Sequence, residues 1–513
     1  MPYDICMSVQ ISSAAKMLHF GRGVGAGDAS SSWTLVVSVV LGVLLALTAV
    51  PFAWSALTPL ALAALLLWVC TPANPTAVAA RLFWSMTAFF SLHLLFLPLS
   101  FAPLFGALSV LLFPLLFAVE GGFYALMGYL VALLAPTFLG RVWGVAFGWV
   151  ILEWLRHLGP FAFPWGTLGY ALLPTPLIQV ADLGGVLLAS LLITTLAAAL
   201  ASLAVREVRP LALTFPVWGL ALGYGLTRPE VAPPTHRALL VQGNLNPLDK
   251  VQGTAQPLPI YARLSAANTS GAVIWPETAV TEKDVPNLPG LPLLIGVART
   301  GQNRIEAWDG GFRGAYDKHQ LVPFGEYFPL REPLAPLYEG VFSALGLPSL
   351  TGLQAGQLGQ PLTLRGVSYG AYVCYESVFP TVARQLVQGG AGVLVNASND
   401  GWFHAGNGVE QHFAMGRVRA IETRRYVLRA GNIGVTAVVD PQGWVTQALP
   451  TRRAGALAAR YAVQEGTTWY VRLGDWPVGV AILGLTGLLA QGIVRRAGSR
   501  LVFNAPEQHA DAT

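Results

Sequence analysis

Residues 184–204 read GGVLLASLLITTLAAALASLA, 21 positions without a single charged side chain. A helix needs roughly 20 apolar residues to cross the hydrocarbon of a bilayer, so this stretch sets the fold class. The same character extends outward from it. Between Trp33 and Thr227 only Arg81, Glu120, Arg141, Glu153, Arg156, Asp182, Arg206, Glu207 and Arg209 are charged, although the 513-residue chain carries 31 Lys and Arg and 26 Asp and Glu. Hydrophobic residues make up 54% and charged residues 11%, where a soluble protein has about 25% charged. A simple water-soluble enzyme is excluded. The 11% aromatic content excludes disorder, and three cysteines exclude a disulfide scaffold. A net charge of +5 with no dense Lys/Arg run gives no surface for nucleic acid.

Expected spans are 33–50, 54–70, 82–98, 107–134, 142–158, 184–204, 211–227 and 476–494. The stretch 82–140 can hold two helices or three. With two, Arg81, Arg141, the Arg206/Arg209 pair and Arg495, Arg496 and Arg500 share one face, as the positive-inside rule favours. The expectation is a polytopic α-helical membrane domain of seven helices over 33–227, after a mobile Gly/Ser-rich tail at 1–32, with an eighth, C-terminal helix at 474–494 and a cytoplasmic tail at 495–513. The remaining folded domain, 235–463, then lies outside. No cleavable signal is expected, and the first span stays as an anchor. Cys70 sits in a span and Cys6 in the tail, which leaves Cys374 an unpaired thiol in that compartment.

From Arg237 onward short apolar runs are broken by turn residues. RALLVQGN (237–244), AVIWPE (272–277), LPLLIGVAR (291–299), VSYGAYVCYE (367–376), AGVLVNASND (391–400) and NIGVTAVVDPQG (432–443) read as strands, and VEQHFAMGRVRAIETRRYV (409–427) has helical spacing. The alternation implies an α/β sandwich. Glu277, Lys318 and Cys374 stand at strand ends or in adjoining loops. Taken singly, these are a loop carboxylate, a solvated cation and a small buried hydrophobe. Taken together, they are what acyl transfer through a thiol requires: a base, a cation for the oxyanion and the nucleophile. An ammonium beside the thiol is expected to bring thiolate within reach near neutral pH.

The wording around these residues is specific. VIWPETAV, YDKHQLVPFGEYFP, VCYESVFP and NASNDGWF, in this order, resemble the carbon–nitrogen hydrolase (nitrilase) superfamily. Joined to this membrane half, including VILEWLRHLGPFAFPWGTLGY (150–170), they resemble the apolipoprotein N-acyltransferase family of the bacterial envelope. The resemblance covers roughly 33–494. It implies a nitrilase-like αββα sandwich with Cys374 as nucleophile, Glu277 as general base and Lys318 as oxyanion stabiliser. It further implies that Glu326 supports the site, that Tyr375 and Glu376 form the pair after the cysteine, with the Tyr375 N–H as an oxyanion donor, and that Trp402 flanks the substrate. In NPLDKVQG, Val251 stands near a place where the family often has Trp, which leaves acyl-chain contacts open.

The implied reaction takes an acyl chain from the sn-1 position of a phospholipid, usually phosphatidylethanolamine, through a cysteine thioester. The acceptor is the α-amino group of a diacylglyceryl-cysteine on an apolipoprotein. The expected setting is the bacterial inner membrane, with the catalytic domain on the periplasmic side, as a monomer, with no cofactor and no metal. FPLREPLAPLYEGVFSALGLPSL (328–350) reads either as a core-packed insertion or as a membrane-facing lid, with Leu345 and Leu347 as entrance residues beside Trp402. Rival readings are a tethered amidase or nitrile hydrolase using the same three residues, and a transporter, which the scarcity of ionisable residues in the spans disfavours. Weaker constellations read structurally. Glu410, His412 and His404 do not share a helical face for a metal. Arg417, Arg419, Arg424 and Arg425 read as a solvated, ion-paired face. GRGVGAG (21–27) has no phosphate role. Glu120 within a span calls for a partner.

Overall fold

The computed structural model describes residues 27–503 apart from 53, 106–109, 111, 252–253, 267–270, 345–351 and 404. Most of the tail at 1–32, GRGVGAG but for its last residue, His404, and the entrance candidates Leu345 and Leu347 therefore lie outside the described residues.

Among the described residues eight α-helices precede the first strand: α1 (Gly27–Thr48), α2 (Thr58–Cys70), α3 (Pro75–His93), α4 (Phe96–Phe105), α5 (Leu112–Leu134), α6 (Phe138–Leu155), α7 (Ala181–Ser202) and α8 (Arg209–Leu226). Their ends follow local chemistry. Asn74 caps α3 by accepting from the Thr76 N–H with Pro75 in the first turn, and Thr137 caps α6 by accepting from the Gly140 N–H. Helices α1 and α3 approach so closely that a Cβ on Gly42 would lie 1.9 Å from the Ser85 carbonyl oxygen, the small-residue packing that apolar helices use in lipid.

Among the described residues five helical stretches are long and apolar enough to cross a membrane: Pro75–Ser100, Phe113–Leu134, Phe138–Leu155, Pro176–Val205 and Trp476–Val494. The expected spans 33–50 and 54–70 fall on shorter apolar helices, Ser32–Thr48 and Ser55–Cys70. The expected span 211–227 falls on α8, 18 residues interrupted by Pro216. Between α3 and α5 the described residues hold α4, whose first five residues close the Pro75–Ser100 stretch.

Thirteen strands follow among the described residues. They are β1 (His236–Gln242), β2 (Ala272–Ile274), β3 (Val280–Thr281), β4 (Leu293–Arg299), β5 (Gln302–Trp308), β6 (Phe312–Asp317), β7 (Leu362–Leu364), β8 (Val367–Val373), β9 (Val393–Ser398), β10 (Val427–Gly431), β11 (Ala437–Val439), β12 (Val445–Ala448) and β13 (Gly455–Tyr461). One sheet has the order β13-β1-β2-β4-β5-β6, with β3 paired to β4, and the other has the order β12-β11-β10-β9-β8-β7. The sheets pack face to face, with β1 against β10 and β5 against β8. The helices α9 (Pro247–Val251), α10 (Pro257–Ser265), α11 (Arg331–Ala344), α12 (Pro380–Gln388) and α13 (Gly408–Thr423) are interleaved with the strands. Of these, α10 covers the first sheet while α12 and α13 cover the second. Short parallel strands with both faces covered explain the unbroken apolar runs of β4, β8 and β9. The chain returns through α14 (Trp469–Leu473) to the long α15 (Trp476–Phe503).

The expected helix over 409–427 ends earlier, at Thr423. Arg424 adopts φ +51 as its C-cap, and the chain turns directly into β10. The nearby arginines are not a solvated face. Arg419 is fully buried against Glu422, Arg425 is buried on the carbonyls of Ala391 and Gly466, and Arg417 donates to the Gly443 carbonyl. Arg424 reaches the other half of the molecule, with its NH2 group 2.7 Å from Asp182 of α7.

Glu422 makes a second bridge. Gly184 and Gly185 leave helical geometry inside α7, Gly185 at φ +69. The break turns the Val186 N–H outward, and it donates to Glu422 Oε1 at 2.9 Å. Glu120, unassigned from sequence, lies 3.0 Å from Arg156 Nε, and Arg156 also donates to the Trp165 carbonyl. The intramembrane carboxylate is thus paired rather than isolated.

Candidate active site

Cys374 directly follows β8 and starts a short 3-10 helix (Cys374–Val378) with φ +47. That left-handed conformation is rare for a residue with a side chain. Glu376 locks the turn: its carboxylate accepts from the Val373 N–H at 2.6 Å, the Tyr316 hydroxyl at 2.7 Å, the His319 N–H at 2.9 Å and the Gln320 N–H at 3.1 Å. Burial pushes the Glu376 carboxyl up, against those donors and Lys318. Its support is therefore directed at backbone geometry.

Glu277 sits just after β2 in a turn whose next residue, Thr278, has φ +46. The turn lies flat on β4 because Gly296 has no side chain. A Cβ there would stand 2.2 Å from the Pro276 oxygen and 2.7 Å from the Glu277 Cα. Lys250 of α9, beside Val251, donates to the Thr278 carbonyl at 2.9 Å. Burial pushes the Lys250 ammonium down to about 8, against the opposing pull of Glu277. Asn303 of β5 donates to Glu277 Oε1 at 2.8 Å.

Lys318 follows β6 and is 1% exposed. Its ammonium donates to Glu277 Oε1 at 3.2 Å and to Glu326 Oε1 at 2.7 Å, and Glu326 Oε2 accepts from the Val322 N–H. Burial opposes the Lys318 charge, but Glu326, Glu277 and Cys374 outweigh it and hold the ammonium well above its ordinary range. An ammonium has three N–H bonds, so one remains after the two carboxylates. The structure thus brings together Glu277, Lys318 and Glu326, and the charges acting on the half-buried Cys374 thiol are Glu277, Lys318 and Asp400, in that order.

The thiol corrects one expectation. Burial, followed by Glu277, pushes it up further than Lys318 and the Asn399 N–H bring it down. The resting group is a thiol that needs a base, not a standing thiolate near neutral pH.

Tyr375 faces the membrane half. Its ring stacks on Trp165 at 5.9 Å and 14°, and its hydroxyl donates to the Ala162 carbonyl at 2.8 Å. Trp165, in the loop after α6, donates to Gln411 Oε1 of α13 at 3.0 Å. Trp402 is 39% exposed. The segment after it rests on α4, with Phe403 edge-on to Phe96 at 5.3 Å and the Ala405 carbonyl accepting from Ser100.

Several functional neighbours escape sequence reading. Asn303 anchors Glu277 but sits in β5, which no motif marks. His412, Asp400 and Arg429 form a buried cluster behind Cys374. The ligand-capable atoms of Cys374, Asp400 and His412 lie within 4.8 Å of one another. They do not suit a cation: Arg429 holds Asp400 at 2.7 Å, and His412 faces Asp400 and the Cys374 carbonyl. Asp400 stands in NASNDGWF, the one signal that could have marked the cluster.

Comparison with known proteins finds the family described as "Carbon-nitrogen hydrolase" over residues 302–470 and "Apolipoprotein N-acyltransferase N-terminal domain" over residues 41–199. Glu277 falls between the two matched ranges. A protein of Azotobacter vinelandii named Apolipoprotein N-acyltransferase is 34% identical over 390 residues, covering 69% of this chain and 73% of that protein. One of the same name from Nitrosomonas europaea is 34% identical over 429 residues, covering 77% and 83%. One from Shewanella oneidensis is 29% identical over 514 residues, covering 91% and 96%. Among solved structures, Saccharomyces cerevisiae Nit3, a member of branch 10 of the nitrilase superfamily, matches at 15% identity and a TM-score of 0.33, covering 45% of this chain and 91% of that one.

Proposed function

This chain belongs to the apolipoprotein N-acyltransferase family, a multi-pass membrane enzyme that N-acylates lipoproteins, and we propose that it does so through a thioester on Cys374. The observation that carries the reading is the buried Glu277–Lys318 ion pair acting on a thiol held at a strained strand end, with Glu326 bound to Lys318. The donor is a phospholipid such as phosphatidylethanolamine, cleaved at sn-1. The acceptor is the α-amino group of a diacylglyceryl-cysteine.

Glu277 takes the Cys374 proton as sulfur attacks the ester carbonyl. The oxyanion accepts from the remaining Lys318 N–H and the Tyr375 backbone N–H. Its collapse breaks the ester bond, and the leaving glycerol oxygen recovers the proton from Glu277, releasing lysophospholipid. In the second half the amine attacks the thioester, Glu277 takes its proton, and the thiol is regenerated as the amide forms. A base-dependent thiol suits this cycle, because the proton is needed by each leaving group in turn. Glu326 holds Lys318, and Glu376 holds the turn.

Trp402 borders the lipid entrance in this reading, with the exposed Leu337 of α11 nearby in sequence to Leu345 and Leu347. The setting is the bacterial inner membrane with the sandwich on the periplasmic side, as the arginine distribution supports, and the enzyme works as a monomer. The test is the intact mass of purified protein after incubation with phosphatidylethanolamine. The expected result is an added acyl mass, labile to hydroxylamine, absent from Cys374→Ala, and transferred to a diacylglyceryl peptide in preference to water. No adduct, with small amides hydrolysed instead, would overturn the reading in favour of a tethered amidase.

A further inference from the structure

His412 of α13 is 1% exposed and takes part in no step above. Its Nδ1 lies 2.8 Å from Asp400 Oδ1, and its Nε2 lies 3.0 Å from the carbonyl oxygen of Cys374 and 2.8 Å from Ser377 Oγ. A carbonyl and an ionised carboxylate offer only lone pairs. The contact with the Cys374 carbonyl therefore needs a hydrogen on Nε2, while Nδ1 also lies 3.2 Å from Nη2 of Arg429. Arg429 fixes Asp400 from behind, donating to both its oxygens at 2.9 and 2.7 Å, and continues to Ser398 at the end of β9. A buried chain of hydrogen-bonded groups therefore runs from the sheet to the backbone of one residue. That residue is Cys374, whose φ of +47 is unfavourable for a residue with a side chain and persists only where its surroundings impose it.

The geometry points to His412 as a positioning residue: by donating from Nε2 to the Cys374 carbonyl, it clamps the nucleophile's left-handed backbone so that the thiol meets Glu277 and Lys318. This rests on the reading of Cys374 as the nucleophile. It differs from a Cys–His–Asp triad, in which Nε2 would have to be free to accept the thiol proton. Here the Cys374 carbonyl and the Ser377 hydroxyl occupy Nε2.

Two near-isosteric variants of the full chain separate the possibilities. The amide nitrogen of His412→Gln extends to the place of Nε2, whereas that of His412→Asn ends at the place of Nδ1. Two quantities are measured: the alkylation rate of Cys374 by iodoacetamide, mapped to its peptide by mass, and kcat and KM for phospholipid. The Asn variant is expected to slow both alkylation and kcat by about ten-fold or more, with KM unchanged. The Gln variant is expected to recover most of that loss. Equal rates in the two variants overturn the proposal, as does a thermal melting temperature that falls in step with alkylation in both. A Gln variant that alkylates normally yet turns over no better than Cys374→Ala would make His412 a proton-transfer group and also overturn it. If the wild type gains no acyl group from phospholipid, the proposed function fails instead, while the alkylation comparison still decides the role of His412.

Discussion

Replacing Glu326 by Gln removes one charge and keeps the shape, and its effect can be worked from the Lys318 environment. Lys318 is buried, which works against its charge, and Glu326 is the foremost of the groups that hold the charge in place. The 2.7 Å contact is a charge-assisted hydrogen bond with the carboxylate 18% exposed. Such bonds contribute about 1.5–3 kcal/mol, and partial exposure places this one toward the lower end. At about 1.4 kcal/mol per decade, acyl-enzyme formation should slow by roughly ten- to thirty-fold near pH 7. The sign with pH follows from the raised ammonium. In the wild type the charged form, and the stability of its ion pairs, is fully present below the ordinary lysine value and lost only as pH climbs through the raised one. In Glu326→Gln that loss moves to lower pH, so the deficit widens on the alkaline side. The assay is single-turnover acylation by phosphatidylethanolamine, followed by intact mass across pH, with thermal melting as a check on folding. Rates within about two-fold of wild type over the whole range would refute the claim that Glu326 maintains the working charge of Lys318.

Two further substitutions test other parts of the frame. Gly296→Ala places a methyl group 2.2 Å from the Pro276 oxygen and should displace Glu277, cutting acylation by at least about ten-fold while the protein still folds; normal acylation would show that the turn can shift without consequence. Asp182→Ala strips Arg424, Arg228 and the Tyr224 hydroxyl of a shared acceptor and should destabilise by about 2–4 kcal/mol, read as a lower melting temperature in detergent. An unchanged melting temperature would mean that this cross-link contributes little.

What can be read from sequence is what is local. The apolar runs and the strand-end motifs around Glu277, Lys318 and Cys374 are contiguous, so helices, strands and three site residues can be placed from the order of residues alone. Partnerships across the fold are not legible in that order. Arg424 and Arg425 look like the charged end of a helix. Only the left-handed Arg424 and its reach to Asp182 reveal a helix stop and an anchor between the two halves. Asn303 carries no motif because its role is set by β4 and β5 pairing, which brings it beside Glu277. The state of the thiol depends on burial more than on its charged neighbours, and burial is a property of the assembled site.

The loop after α6 gives the nucleophile's neighbour its hydrogen-bond acceptor and its stacking partner, through Ala162 and Trp165. Tyr375, the residue next to Cys374, is therefore held by a loop of the half of the chain that carries the apolar helices. Severing the sandwich from the helices would strip Tyr375 of its hydrogen-bond acceptor and its stacking partner at once.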